Sequence, residues 1–144
     1  MRSVLIIVGI IILFSCTTKE VLPPAPVGPT PSKSQLEWHK MEMNAFVHFS
    51  LNTFTGKEWG YGDERPAIFN PTSFDADQWI AAFKDTGFKG VILTCKHHDG
   101  FCLWPTKYSH HSVKNSPFKN GRGDVVKDVS EACRRMELKY RIYL

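Results

Sequence analysis

The sequence has 144 residues, of which 42% are hydrophobic, 12% aromatic and 22% charged, with a formal net charge of +4. These values exclude a disordered chain, a collagen-like repeat and a multi-span membrane protein, and the length limits the folded part to one domain. The basic residues of 107–127 are interrupted by Ser, His, Asn and Gly, which suits a solvated loop better than a nucleic-acid-binding stripe, so no nucleic-acid partner is expected.

Taken in chain order, Met1-Arg2 and the apolar run of residues 4–14 have the anatomy of a secretory signal peptide, assigned to residues 1–15. The run is too short to span a bilayer, which takes about twenty apolar residues. Leu13-Phe14-Ser15-Cys16 resembles the lipobox of bacterial lipoproteins. That resemblance implies lipidation of Cys16, membrane attachment through the N-terminal lipid, and a place in the cell envelope, either in the periplasm or at the outer-membrane surface. An ordinary leader with an incidental cysteine is the alternative. Residues 16–34 hold Pro23, Pro24, Pro26, Pro29 and Pro31 and few large apolar side chains, the composition of an extended tether. Residues 35–144 form the folded part.

Residues 44–49 (NAFVHF) read as a short strand. Residues 75–86 open on Asp75, carry Gln78 three positions later, and place Trp79, Ile80 and Phe83 on one face before Gly87, the pattern of a capped amphipathic helix. Residues 90–94 (GVILT) are continuously apolar, as expected of a strand covered on both faces. Asp124 caps a second helix with Val125, Val129, Cys133 and Met136 on one side, and residues 140–144 (YRIYL) make a third strand. The order β-α-β-α-β with long connections predicts an α/β fold whose strands pair in parallel through right-handed crossovers. Both α/β barrels and open doubly wound sheets begin this way. The third strand stops at Leu144 with Ile142 and Leu144 on an uncovered edge, which reads as a truncation. Arg141 lies in that strand, where burial without a partner would be costly.

In parallel α/β folds, functional groups gather at the carboxyl ends of the strands. His48 falls at the end of the first strand, Glu58-Trp59 in the loop beyond it, and Lys96-His97-His98-Asp99-Gly100-Phe101 directly after the second. Neighbouring imidazoles in extended backbone diverge, which suits several hydroxyls better than one metal ion, although chelation stays open. Trp59, Phe101 and Trp104 lie beside them. Aromatic faces stack on the C–H side of a sugar while His and carboxylate groups bind its hydroxyls; core packing is the plainer reading of each ring, as a core histidine is of His48. Cys95 and Cys133, which sit in apolar patterns, are read as small buried hydrophobes, with a Cys95–Cys102 disulfide the unsupported alternative. No CxxC or HExxH zinc spacing occurs.

The run Lys96-His97-His98-Asp99-Gly100-Phe101-Cys102-Leu103-Trp104-Pro105, with Phe46-Val47-His48-Phe49 upstream and Leu138-Lys139-Tyr140 downstream, resembles the first part of a family 29 glycoside hydrolase, an α-L-fucosidase. The resemblance covers about residues 36–144, and KHHDGFCLW is its most specific piece. It implies that His48, His97 and His98 contact fucose, that Glu58 and Trp59 reach the same sugar, and that Trp104 lines the pocket. It further implies a fucosylated glycan as substrate and a (β/α)₈ TIM-like barrel followed by a β-sandwich; no cofactor and no metal are expected. A complete barrel takes about 250 residues, so this chain is expected to hold the N-terminal β-α-β-α-β part, truncated in the third strand. Retaining hydrolysis needs two carboxyl groups roughly 5–5.5 Å apart, and the resemblance puts the nucleophilic aspartate and the acid/base beyond Leu144. The rivals are a non-catalytic carbohydrate-binding lipoprotein and a metal-dependent hydrolase of barrel type.

Overall fold

Two aspartates start the principal helices of this chain, and the local chemistry runs as their side chains dictate. Asp75 Oδ1 accepts from Gln78 N at 3.0 Å and Asp124 Oδ1 from Lys127 N at 2.9 Å, each satisfying an amide that the first helical turn leaves without a partner. The structure, a computed structural model, describes residues 20–144. The leader and Cys16 lie outside the described residues. Residues 20–32, within the first of two units, are exposed and without regular secondary structure; the second unit is Lys33–Leu144. Among the described residues no helix is long and apolar enough to cross a membrane.

The second unit runs α1 (Lys33–Met41), β1 (Asn44–Val47), α2 (Leu51–Thr55), α3 (Ala76–Asp85), β2 (Gly90–Thr94), α4 (Val125–Arg135) and β3 (Lys139–Tyr143), with short 3₁₀ turns at Pro66–Ile68, Val113–Asn115 and Phe118–Gly121. β2 keeps its expected bounds, β1 ends two residues earlier than its apolar run, and β3 sits one residue earlier. The helix α1 was not foreseen: it buries no residue, so its sequence carries no apolar stripe to read. At the end of α3, Gly87 takes a left-handed φ of 91°, and Gly87 N and Phe88 N bond back to the carbonyls of Lys84 and Phe83, both at 3.0 Å.

The sheet is parallel throughout in the order β1-β2-β3, with Ala45 opposite Val91 and Val91 opposite Tyr140. Side chains alternate across it. Val91 and Leu93 join Ile80 of α3 and Val125, Val129 and Cys133 of α4 in one buried core, and α3 and α4 pack on each other. The opposite face carries Phe46 and Tyr143, each about half exposed, with Ile92 only partly covered and Arg141 exposed. β2 itself is buried at all positions but Ile92, whereas β1 and β3 beside it leave the face away from the helices open at Phe46, Arg141 and Tyr143. Arg141 escapes the cost of burial because it lies on that open face, where its Nη1 donates to the Tyr140 carbonyl at 3.1 Å.

Above the helix-covered core lies an aromatic cluster centred on Phe69, which is fully buried. Its ring meets Phe49, Phe54, Phe101 and Phe118 at centroid distances of 5.6, 5.5, 5.3 and 5.6 Å. These partners come from the connections that follow β1 and β2, so one side chain ties both together. Cys95, Cys102 and Cys133 are buried free thiols, in keeping with the reading of Cys95 and Cys133 as small hydrophobes and without the Cys95–Cys102 disulfide; burial pushes the first two up and Cys133 up to about 11. Because Phe69 is the hub, Phe69→Ala is expected to cost about 3–5 kcal/mol. Urea unfolding measures it, and a loss under about 1 kcal/mol would remove Phe69 from that role.

Candidate functional site

β1 and β2 both end at one edge of the sheet, and two loops rise from there. The first begins with a capping box: Ser50 Oγ accepts from Asn52 N and Thr53 Oγ1 from Ser50 N, both at 3.4 Å. Gly56, with a φ of 66°, closes α2 after five residues, and the chain turns toward Glu58 and Trp59. The second loop is a tight turn in which Gly100 N donates to the His97 carbonyl at 2.9 Å, leaving His98 and Asp99 at its corner. Asp99 Oδ1 accepts from Phe101 N at 2.8 Å, so this buried carboxylate shapes the turn, and Phe101 beyond it enters the core.

The two loops touch at Gly60. A Cβ there would stand 2.6 Å from Asp99 Cβ and 3.0 Å from Asn52 Oδ1, so a side chain would push the loops apart. Glu64 holds the first loop from within by accepting from Tyr61 N and Gly62 N, both at 2.9 Å. Those amides, helped by Lys57, keep its carboxyl below the usual carboxylate range against the opposing effect of burial.

Between the loops is a cleft of about 380 Å³, whose lining includes His48, Asn52, Lys57, Glu58, Thr94 and His97. That is enough room for one sugar ring by the usual size of ligand pockets. His48 and Thr94 project from the open face of the sheet and meet at 3.3 Å between Nδ1 and Oγ1. His97 stands nearly perpendicular to His48, with centroids 5.3 Å apart at 87°, and to His98, at 4.8 Å and 89°. Three imidazoles thus present their ring nitrogens in different directions. Trp59 stacks on His98 at 4.1 Å and 25°, and more than half of its surface remains exposed for a further partner.

Burial lowers the pKa of His97, and the neighbouring imidazoles of His98 and His48 add to that shift. A neutral ring at pH 7 has one donor and one acceptor nitrogen, as hydroxyl recognition requires. Among the described residues no group of three or more His, Cys, Asp or Glu is placed to hold a metal ion.

Of the residues singled out from the sequence, His48, Glu58, Trp59, His97 and His98 come together here. Trp104 does not join their contacts: it is half-buried and packs against the hydrophobic core. His48 is exposed on the open face and bonds to Thr94, unlike an enclosed core histidine. Sequence reasoning missed Asn52 and Thr94. The Ser50-Leu51-Asn52-Thr53 spacing was the available signal for the first, since it marks a capped turn immediately after a strand.

The chain matches the family model described as Alpha-L-fucosidase over residues 14–144. It is 50% identical to alpha-L-fucosidase 1 of Arabidopsis thaliana over 84% of this chain and 24% of that protein. It is also similar to the crystal structure of a glycoside hydrolase 29 family member from a rumen bacterium, at 55% identity and TM-score 0.81, over 83% of this chain and 22% of the other. A family 29 fucosidase of Ruminococcus gnavus solved with fucose is 40% identical with a TM-score of 0.77, over 88% of this chain and 26% of the other. The chain therefore spans about a quarter of the length of these relatives.

The depressed pKa of His97 has a direction that can be checked. An unfolded histidine titrates near 6.5, so between that pH and the lower folded value the unfolded chain binds the proton and the folded chain resists it. The contribution of His97 to stability is thus full above about pH 6.5 and declines as pH falls through this window. NMR titration should place the His97 midpoint below that of a free histidine, and His98→Ala should raise it by removing a neighbouring imidazole that lowers it. An unchanged midpoint in His98→Ala would contradict the coupling.

Proposed function

The chain belongs to the alpha-L-fucosidase family, and from that premise we propose that it forms the fucose-binding part of a retaining α-L-fucosidase that releases L-fucose from glycans. The observation that carries the proposal is the set of three clustered imidazoles, with His97 perpendicular to both His48 and His98, of which His48 and His97 line a sugar-sized cleft, and with Trp59 stacked on His98 beside them. His48, His97 and His98 bind the sugar hydroxyls together with the Glu58 carboxylate, while the exposed indole of Trp59 covers the C–H side of the ring. The Ruminococcus gnavus relative solved with fucose supports a ligand of this size and chemistry.

The carboxylates near the cleft have other uses or no match. Asp99 and Glu64 hold backbone amides. Neither they nor Glu58 and Asp63 match the nucleophile of the family. The two carboxyl groups that retention requires are accordingly assigned outside residues 1–144, and the open face of the sheet, with Phe46 and Tyr143 half exposed, suits closure by further strands of a (β/α)₈ barrel. A lipid on Cys16 and the Pro-rich tether would hold the enzyme at the cell envelope.

The complete gene product is expected to hydrolyse an aryl α-L-fucoside, and the 144-residue chain alone to leave it intact. His97→Ala or His98→Ala should each lower kcat/KM about 10- to 100-fold, the equivalent of roughly 1.5–3 kcal/mol for hydrogen bonds in a charge-assisted or desolvated site. Full activity in both variants would refute the site assignment. For the anchor, Cys16→Ser should move the protein from the membrane fraction of the cell to the soluble fraction; a distribution equal to wild type would refute lipidation there.

A further inference from the structure

Asn52 stands where the two loops of the cleft meet. Its Nδ2 donates to the Glu58 carbonyl at 2.9 Å and faces His97 Nδ1 at 3.5 Å, across 45 residues of sequence. A carbonyl can only accept, so the bond to Glu58 decides which end of the amide is the NH₂ group. With NH₂ also facing His97, Nδ1 has to be the acceptor and the single proton of the neutral ring resides on Nε2. The other amide atom, Oδ1, is buried without a hydrogen-bond partner and lies close to Gly60, where a Cβ would stand 3.0 Å away. Leaving that oxygen unpaired is costly. The amide keeps this orientation because turning over would set its oxygen against the Glu58 carbonyl.

We infer that Asn52 is a positioning residue that fixes the tautomer of His97, so that the cleft receives an Nε2–H donor aimed at a sugar hydroxyl and the Glu58 loop is held in register with it. The ligand named here rests on the fucose reading above, whereas the tautomer does not.

Two-bond ¹⁵N–¹H spectra of the sugar-free protein, recorded above the His97 titration, read the tautomer directly. The wild type should show the Nε2–H form. Asn52→Asp, nearly the same in shape, should convert His97 toward Nδ1–H and raise its titration midpoint, because a carboxylate accepts from Nδ1–H and stabilises the cation. Asn52→Ala should leave a mixture of both forms. In a titration with L-fucose, Asn52→Asp should bind about tenfold more weakly, the effect of one lost hydrogen bond. An Nδ1–H form in wild type, or an unchanged tautomer and midpoint in a folded Asn52→Asp, overturns the inference. If the tautomer moves as stated but neither protein binds fucose, the positioning role stands and the ligand reading falls.

Discussion

The buried contact of Phe69 with four other phenylalanines is the constraint on which the rest of this structure depends. An aromatic side chain buries on the order of 150–250 Å², and no polar interaction in the loops after β1 and β2 approaches that driving force. Phe49 precedes α2, Phe54 lies within it, Phe101 follows the histidine turn, and Phe69 packs against all three. Phe74 extends the cluster to Trp79 of α3 and to Phe118. The loops therefore owe their positions to apolar packing beneath them, and their polar residues take orientations that the rings allow.

On that floor the polar layer is thin and short in range. Gly60 permits the Glu58-Trp59 loop to approach the turn holding His97 and His98, and Asn52 bonds the first loop while facing the second. Glu64 accepts backbone amides with both carboxylate oxygens and Asp99 with its Oδ1. The groups left facing the cleft are mainly imidazole, hydroxyl and amide, together with Glu58 and Lys57. Such groups suit the recognition of a neutral polyol, and the neutral form of His97 keeps both a donor and an acceptor at its centre.

The sheet adds a second asymmetry. Helices α3 and α4 cover one face, while Phe46, Ile92, Arg141 and Tyr143 share the other. His48 and Thr94 lie at the carboxyl end of that open face, so the cleft sits where strand ends, open face and loops converge. Phe46 and Tyr143 meet edge to face at 5.5 Å and give this surface partial cover.

Much of this was legible in the sequence. Asp75, Gly87 and Asp124 mark helix ends by chemistry that acts within a few residues, and the apolar period of α4 and the run of β2 follow from local geometry. The cluster His97-His98-Asp99 following a strand pointed to the site for the same reason. What sequence left unread involves partners distant along the chain or patterns too weak to register. Helix α1 has no apolar face, and α2 has only five residues. Phe69 is one phenylalanine among ten until folding surrounds it. Trp104 sits beside the histidines in sequence, yet tertiary packing directs it to the core, and the pairing of Asn52 with His97 and of Thr94 with His48 spans 45 and 46 residues. The sequence by itself determined the order of β1, α3, β2, α4 and β3, the aspartate caps of α3 and α4, and the histidine-rich turn after β2. Tertiary structure alone decided which residues share a cleft and which face of the sheet stays open, because both depend on burial between segments that periodicity cannot relate.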